Sequence, residues 1–228
     1  MLPSYQELEK LVKNNNPSAD LSFLYLAYDF AKEAHREQKR VNGEPYINHA
    51  LATAIYLAKI RTPLNIIIAG LLHDIPEETK INPEILKKNF GKDIANIVKG
   101  ITKLGKIKYR GIERYAENLR KMFIAMAVDL RTILVKFADR IHNLQTLWAL
   151  PRKKQIRIAK ESIEIYAPIA NRLGMGKVKG DLEDEAFPYL YPEEYRWVKS
   201  LVEKELPKKE KYLKGIIKEI EKILKKET

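Results

Sequence analysis

Apolar residues recur every three or four positions along most of the chain, which is the spacing of one face of an α-helix. Ser4, followed three positions later by Glu7, predicts a capping box at the start of the first helix. No segment alternates between apolar and polar residues for long enough to form a sheet. The pattern predicts an all-α fold of roughly ten helices. Those after the first are expected over residues 20–38, 47–60, 62–74, 82–91, 92–104, 112–128, 130–149 and 152–173.

The fourth of these helices is apolar almost all round, as expected of a central helix. Thr62 is its predicted cap, and Pro63 occupies its first turn. It leads into the segment LLHDIPEET, which places four ionisable groups within six positions: His73, Asp74, Glu77 and Glu78. Adjacent titratable groups at the end of a buried helix need a partner that offsets their loss of solvation, and a metal ion is such a partner.

The segment VKFADRIHNLQTLW, residues 135–148, carries a second set of polar groups. At about 100° per residue, Asp139, Asn143 and Thr146 share one stripe of a helix, with His142 beside it. The opposite face is predicted to be core and consists of Phe137, Ile141, Leu144 and Trp148. Because Asp, Asn and Thr are poor helix formers, the stripe indicates a use other than helix stability.

The chain has no cysteine and four histidines, so a transition metal must be held by imidazole and carboxylate groups. A lone histidine on an apolar face is usually an ordinary core residue, and that alternative applies to each of them. His49, which follows the loop NGEPY, can complete a set with His73, Asp74 and Asp139. Two nitrogens and two oxygens leave open positions for water and substrate on a hexacoordinate ion such as Mn²⁺.

The chain is basic, with a formal net charge of +12 from 42 basic and 30 acidic residues. This excess suits a polyanionic partner, but a Lys- and Glu-rich composition also suits a hot habitat, so charge alone decides nothing. No apolar run approaches the ~18 residues of a membrane span, and the first residues lack a secretory signal. We expect a cytoplasmic protein.

Several segments resemble one known family, in the order in which they occur. The His-Asp pair in LLHDIPEET, together with FADRIHNLQTL, looks like the HD-domain phosphohydrolases. A narrower resemblance is to the hydrolase half of the Rel/SpoT stringent-response enzymes. It rests on GEPYINHA, FGKDIANIVKGITKL, IEIYAPIANRLG and DLEDEAFPYLYPEEY, and it covers nearly the whole chain.

The resemblance implies a helical bundle around a single Mn²⁺ ion. It also implies removal of the 3′-pyrophosphate from guanosine 3′,5′-bis(diphosphate), the alarmone ppGpp, or from its pentaphosphate relative pppGpp, which gives GDP or GTP. By position, the family's functional residues fall on His49, His73, Asp74 and Asp139 for the metal, on Glu77 and Glu78 for catalysis, and on Arg40, Asn143 and Thr146 for the nucleotide. Arg40 matches the arginine that stacks against guanine.

Three positions depart from the family's pattern. Glu78 stands where an aspartate is usual, Val41 replaces a lysine that contacts phosphate, and Asn171 replaces a common histidine. An active but slower hydrolase is expected, because small misplacements of a catalytic group reduce rates strongly. A basic cluster follows the GITKL segment and either supplies a positive field for phosphate or is ordinary surface charge: Lys103, Lys106, Lys108 and Arg110.

The resemblance divides the chain in two. Residues 1–200 are expected to form the HD-type metal-dependent phosphohydrolase domain. Residues 201–228 are expected to form a basic helix that resembles the connector to a synthetase domain, which is absent, so only hydrolysis is expected. An apolar stripe on this helix is predicted to dock on this chain or on a following domain, and consists of Leu213, Ile216, Ile217, Ile220 and Leu224.

Other functions stay open at this point. A related hydrolase acting on another phosphorylated nucleotide would lack the guanine preference that Arg40 predicts. A non-enzymatic module would be a catalytically weak alarmone sensor, disabled by Glu78, or a basic nucleic-acid binder. The acidic and uncharged stripe of Asp139, Asn143 and Thr146 argues against nucleic acid. A membrane partner is not expected.

Overall fold

The computed structural model describes residues 2–105, 120, 124 and 128–224. Within these residues the chain is helical and forms no strand, and the predicted all-α fold is confirmed. The helices are α1 (Tyr5–Asn15), α2 (Leu21–Ala34), α3 (Ile47–Lys59), α4 (Leu64–Leu72), α5 (Ile75–Glu78), α6 (Pro83–Gly105), α7 (Arg131–Gln145), α8 (Arg152–Glu161), α9 (Ala167–Arg172), α10 (Gly176–Leu190) and α11 (Pro192–Leu224). A 3₁₀ turn (Leu147–Ala149) follows α7, and a π-helical turn (Ser162–Tyr166) follows α8.

Helix α4 is the centre of the first hydrophobic core. Residues 66–72 are all buried, and the helix packs against α2, α3, α6 and α7. A Cβ atom on Gly70 would lie 2.6 Å from Leu57 Cδ1, so a larger residue would displace the Leu57 side chain of α3. Glycine therefore allows α3 and α4 to pack closely, and the end of α4 lies next to the first turn of α3.

Helix α7 lies between two hydrophobic cores. Val135 and Ala138 pack into the core around α4. The other face of α7 joins a second core with residues of α8, α9 and α10, and contributes Ile133, Phe137, Ile141 and Leu144. A helix that is buried on two sides has only a narrow stripe for polar groups. Asp139 and His142 lie in that stripe and are themselves buried.

The sequence predicts a capping residue for the first helix and one for the fourth, and the two predictions have different outcomes. The Ser4 hydroxyl accepts a hydrogen bond from the Glu7 backbone N–H at 3.2 Å, so the Ser4 half of the predicted capping box is confirmed, while the Glu7 carboxylate pairs with Lys59. The predicted cap of α4 is wrong, because Pro63 occupies the N-cap position. The Thr62 hydroxyl instead donates to the Leu57 carbonyl at 3.1 Å, which ties the α3–α4 turn to the end of α3.

The prediction that Trp148 lies on the core face of its helix is wrong. The helix stops at Gln145, and the chain tightens into the 3₁₀ turn. The tighter turn moves Trp148 off the core face, and its side chain is 63% exposed. The helix predicted over 152–173 is helical throughout, but the π-helical turn divides it into α8 and α9.

Helix α6 is interrupted where the predicted short helix ends. Gly91 has φ 83° and ψ 167°, after which the helix resumes and runs to Gly105. The helix predicted over 112–128 falls outside the described residues except at 120, 124 and 128. The predicted basic cluster is not described either, because Lys106, Lys108, Arg110 and the side chain of Lys103 lie outside the described part of the chain. Both stay predictions.

Helix α11 begins before the predicted boundary at residue 200 and packs against α10. Three residues of its predicted apolar stripe are about half exposed: Leu213, Ile217 and Ile220. The assignment of residues 1–200 and 201–228 to different parts stays a prediction. Among the described helices, none combines the length and the apolar character that crossing a membrane requires.

Candidate metal centre

His49 lies in the first turn of α3, directly after the loop that joins α2 to α3. Its side chain is 2% exposed. Its Nε2 atom lies 3.3 Å from Asp74 Oδ2 and 3.3 Å from Asp139 Oδ1. Since Asp74 follows α4 and Asp139 belongs to α7, the His49 imidazole is the point at which the three segments meet.

His73 caps the C-terminal end of α4 and is fully buried. Its Nδ1 atom is 2.8 Å from the Gly70 carbonyl oxygen, to which it donates. Its Nε2 atom lies 3.2 Å from Asp74 Oδ1 and 4.0 Å from Asp139 Oδ1, but makes no hydrogen bond with any described residue. A histidine whose Nδ1–H is held by a backbone carbonyl is oriented as metal-binding histidines are.

The four residues predicted as metal ligands are brought together. One donor atom from each of His49, His73 and Asp74 lies within 4.8 Å of the other two, and Asp139 approaches both imidazoles. A buried nitrogen without a hydrogen-bond partner, beside two carboxylates, fits a bound divalent cation. Two nitrogens and two oxygens are suitable donors for an ion of the Mn²⁺ type. Their role as ligands stays a prediction.

Both aspartates are held as carboxylates by their neighbours. Burial alone would raise the pKa of Asp74, but His73 and His49 bring it well below its usual value, and Tyr46 donates its hydroxyl to Asp74 Oδ2 at 2.7 Å. Lys136 donates to Asp139 Oδ2 at 2.8 Å. Burial opposes ionisation of Asp139 as well, yet the Lys136 ammonium lowers its pKa well below the usual value. Two negative charges therefore face the imidazoles.

Arg40 closes one side of the centre. Its Nη1 atom lies 2.7 Å from His49 Nδ1 and 3.1 Å from His142 Nδ1. A guanidinium can only donate, so both Nδ1 atoms accept here and His49 carries its proton on Nε2. Ligation of a metal by His49 Nε2 requires the proton on Nδ1 instead. His142 Nδ1, 2.7 Å from His49 Nδ1, can accept a hydrogen bond from the His49 Nδ1–H once Arg40 turns away.

An open cleft with a cavity volume of about 110 Å³ adjoins the centre. Its wall includes the three predicted nucleotide contacts, Arg40, Asn143 and Thr146, so the structure brings them to one surface. Arg40 Nη2 donates to Asn143 Oδ1 at 2.5 Å, and the Thr146 hydroxyl donates to the His142 carbonyl at 3.1 Å. Arg140 also lines the cleft, with its guanidinium 4.2 Å from the Tyr166 ring centroid. The cleft combines cations, an amide and apolar surface.

The two predicted catalytic carboxylates lie in α5, immediately after the His-Asp pair, and both residues keep part of their surface exposed to solvent. Partial burial raises the pKa of Glu77 above its usual value, while the positive charge of Lys136 lowers it. Glu77 is thus within electrostatic reach of the centre. The backbone carbonyl of Glu78 accepts a hydrogen bond from Gln38 Nε2, which ties α5 to the end of α2.

Sequence reasoning did not assign roles to Tyr46, Lys136 or Arg140. The only signal for Lys136 was its spacing, three residues before Asp139 on one helix face. Tyr46 belongs to the quoted NGEPY loop, but nothing in the sequence shows that its hydroxyl meets Asp74, 28 positions away. The contacts of Tyr46 and Arg140 depend on how separate segments pack against each other, so they became visible only in the structure.

The shifted pKa values of three histidines predict how the free energy of unfolding depends on pH when a chelator is present. Burial, His49 and Arg40 lower the pKa of His142 to about 3, and burial lowers that of His35. Burial opposes protonation of His73, but Asp74 raises its pKa to about 9. Below the usual value of 6.5 the unfolded chain binds more protons at His142 and His35, so stability falls as the pH falls. Above 6.5 the folded chain retains the His73 proton, so stability falls as the pH rises toward 9.

Urea unfolding at about pH 4.5, 6.5 and 8.5, in EDTA, should therefore give the highest unfolding free energy at the middle value. A free energy that keeps rising from about pH 6.5 to 8.5 would contradict the assignment of the raised pKa to His73.

The chain is similar to part of several longer proteins. The guanosine-3′,5′-bis(diphosphate) 3′-pyrophosphohydrolase of Aquifex aeolicus (strain VF5) is 47% identical over 222 residues, which is 97% of this chain and 31% of that protein. The bifunctional (p)ppGpp synthase/hydrolase SpoT of Escherichia coli (strain K12) is 41% identical over 218 residues, 95% of this chain and 31% of that protein. The GTP pyrophosphokinase of Streptomyces coelicolor (strain ATCC BAA-471 / A3(2) / M145) is 42% identical over 226 residues, 98% of this chain and 27% of that protein. The chain thus spans less than a third of the length of these relatives.

A solved structure and a family model agree on the architecture. The structure, described as a metazoan ortholog of SpoT that hydrolyzes ppGpp, superposes with a TM-score of 0.56 at 22% identity, covering 78% of this chain and 98% of that one. At this identity the likeness supports the fold alone. The family model described as HD domain matches residues 27–176, a range that includes all four clustered side chains of the centre. The chain therefore belongs to the HD domain family.

Proposed function

We propose that this chain is a Mn²⁺-dependent hydrolase that removes the 3′-pyrophosphate from ppGpp and pppGpp, giving GDP or GTP. The observation that carries the proposal is the convergence of His49, His73, Asp74 and Asp139 beside a cleft lined by Arg40 and Asn143. Relatives named for this hydrolysis align over nearly the whole chain, which supports the same substrate class.

The metal would be held by the two imidazoles and the two carboxylates of the centre. When bound, the ion supplies a water of lowered pKa and neutralises charge on the phosphoryl oxygens. Lys136 donates to Asp139 Oδ2, while Asp139 Oδ1 lies beside both imidazoles and accepts a hydrogen bond from Asn143 Nδ2 at 2.5 Å. Tyr46 donates to Asp74 Oδ2, the oxygen beside His49, while Asp74 Oδ1 lies beside His73.

Glu77 is the proposed general base. Its pKa is raised by partial burial, so its carboxylate accepts a proton more readily than an exposed glutamate at neutral pH. In the reaction, water adds its hydroxyl group to the phosphorus, the bond from phosphorus to the ribose 3′-oxygen breaks, and that oxygen gains a proton. Glu78 is proposed to assist from the next position in α5.

The cleft is proposed to hold the guanosine part of the substrate. Arg40 would leave His49 and stack against guanine, where a planar guanidinium interacts well with an aromatic face. Asn143 offers an amide and Thr146 a hydroxyl for the nucleotide. Release of Arg40 also frees His49 Nδ1 to carry the ring proton, so substrate binding and metal ligation favour the same rearrangement.

The function is tested by incubating the purified chain with Mn²⁺ and ppGpp. We expect equimolar GDP and pyrophosphate, no release in EDTA, and recovery when Mn²⁺ is restored. A panel with the adenosine analogue and with nucleoside 3′-monophosphates tests the guanine and pyrophosphate preferences. The proposal assigns hydrolysis alone to this chain, so ATP with GDP should yield no alarmone. A Mn²⁺-loaded chain that releases no pyrophosphate from ppGpp would overturn the assignment.

A further inference from the structure

Tyr46 occupies a position between the metal centre and a buried histidine. Its hydroxyl donates to Asp74 Oδ2 at 2.7 Å. Its ring stacks on His35, with centroids 4.6 Å apart and planes at 19°, and meets His49 edge to face at 5.8 Å. The ring is therefore fixed on its face and at its edge, and the direction of the hydroxyl is fixed with it.

The oxygen that Tyr46 contacts belongs to the donor cluster. Asp74 Oδ2 is also 3.3 Å from His49 Nε2, while Asp74 Oδ1 is 3.2 Å from His73 Nε2. Asp74 lies at the N-terminal end of the four-residue helix α5, and its own side chain makes no capping hydrogen bond there. Its orientation thus depends on contacts from outside α5: the two imidazoles lie beside it, and the Tyr46 hydroxyl donates a hydrogen bond to it.

His35 has features that an ordinary core residue lacks. It is 2% exposed, its Nδ1 atom is 2.6 Å from Gln38 Oε1, and its Nε2 atom has no hydrogen-bond partner among the described residues. A buried nitrogen without a hydrogen-bond partner destabilises the fold, and an apolar ring would fill the same space without that cost. The Nδ1 contact fixes the Gln38 amide, whose Nε2 donates to the Glu78 carbonyl. His35 and Gln38 therefore connect the end of α2 both to the Tyr46 ring and to α5.

We propose that Tyr46, braced by His35 and Gln38, is a positioning residue that holds Asp74 in its metal-binding orientation and so sets the affinity of the centre for a divalent cation. The inference rests on the proposed metal centre. Partners of metal ligands that do not themselves bind the ion typically change metal affinity by about 10- to 100-fold when removed.

The test is Tyr46→Phe, which removes the hydroxyl and keeps the ring against His35. The dissociation constant for Mn²⁺, measured by isothermal titration calorimetry, should rise by about tenfold or more. At saturating Mn²⁺ the turnover number for ppGpp should return close to that of the unaltered chain, because the ligands themselves are intact.

Tyr56→Phe is the matched control. The Tyr56 hydroxyl donates to Asp181 Oδ2 at 2.6 Å, also between helices and partly buried, but away from the centre. Both variants should lose comparable unfolding stability, whereas only Tyr46→Phe should bind Mn²⁺ more weakly. A Mn²⁺ affinity for Tyr46→Phe within about twofold of the unaltered chain, or an equal loss in Tyr56→Phe, would overturn the inference while leaving the metal centre standing.

His35→Phe separates positioning from stability. It keeps an aromatic ring against Tyr46, removes the unpaired nitrogen and breaks the contact to Gln38. We expect weaker Mn²⁺ binding with unchanged or higher unfolding stability. Unaltered Mn²⁺ affinity in His35→Phe would remove His35 from the proposal. Failure of the unaltered chain itself to bind Mn²⁺ would instead overturn the proposed function.

Discussion

Replacing His73 by alanine is expected to abolish Mn²⁺ binding and to lower pyrophosphate release from ppGpp by at least about a thousandfold. The His73 imidazole is fully buried, and its Nδ1 atom is held by the Gly70 carbonyl. No described side chain hydrogen-bonds its Nε2 atom, so a ligand lost here is not replaced by a neighbour. A bound metal supplies several kcal/mol to phosphoryl hydrolysis, and about 1.4 kcal/mol changes a rate tenfold.

Metal analysis and pyrophosphate release measure the two effects of His73→Ala. Thr53→Ala is a suitable control, because Thr53 is also fully buried, lies on α3 beside Gly70 and offers no ligand to the centre. The control should keep both metal and activity. A folded His73→Ala variant that retains more than about a tenth of the activity would contradict the role assigned to His73.

Asp139→Asn is expected to reduce both activity and stability, although the two side chains have the same shape. The substitution leaves the Lys136 ammonium, 19% exposed, beside an amide instead of a carboxylate. Removing one partner of a buried ion pair typically costs about 3 kcal/mol or more, because the remaining charge is left without compensation. Urea unfolding in EDTA isolates this effect from any loss of metal.

Asp93→Asn is the matched control, because it removes the same charge from an ion pair that is exposed to solvent. Asp93 pairs with Arg131 at 2.7 Å, but the two side chains are 55% and 33% exposed. Solvent screening limits such a pair to about 1 kcal/mol or less. Adding Lys136→Met to Asp139→Asn should restore part of the lost stability, since the buried charge is then removed. Equal losses of unfolding free energy in Asp139→Asn and Asp93→Asn would show that burial does not determine how much the Lys136–Asp139 pair contributes to stability.

The sequence by itself determined the all-α fold and most of the helices. Helical spacing is a local property, because residues three and four positions apart share a face whatever packs against it. The His-Asp pair at the end of an apolar helix and the polar stripe of α7 were visible for the same reason. The predictions from sequence were wrong at two helix ends. Pro63, and not Thr62, occupies the N-cap position of α4, and the 3₁₀ turn after α7 places Trp148 at the surface.

Only the tertiary structure decided which of these groups meet. His49, His73 and Asp139 come from three helices, and their separations follow from the close packing of α3 on α4 and of α7 on both. Packing likewise placed Tyr46 against Asp74, whereas Lys136 holds Asp139 from three residues away on the same helix. Side-chain spacing along one helix is set by the backbone, whereas contact between helices depends on the volume and shape of every residue buried between them.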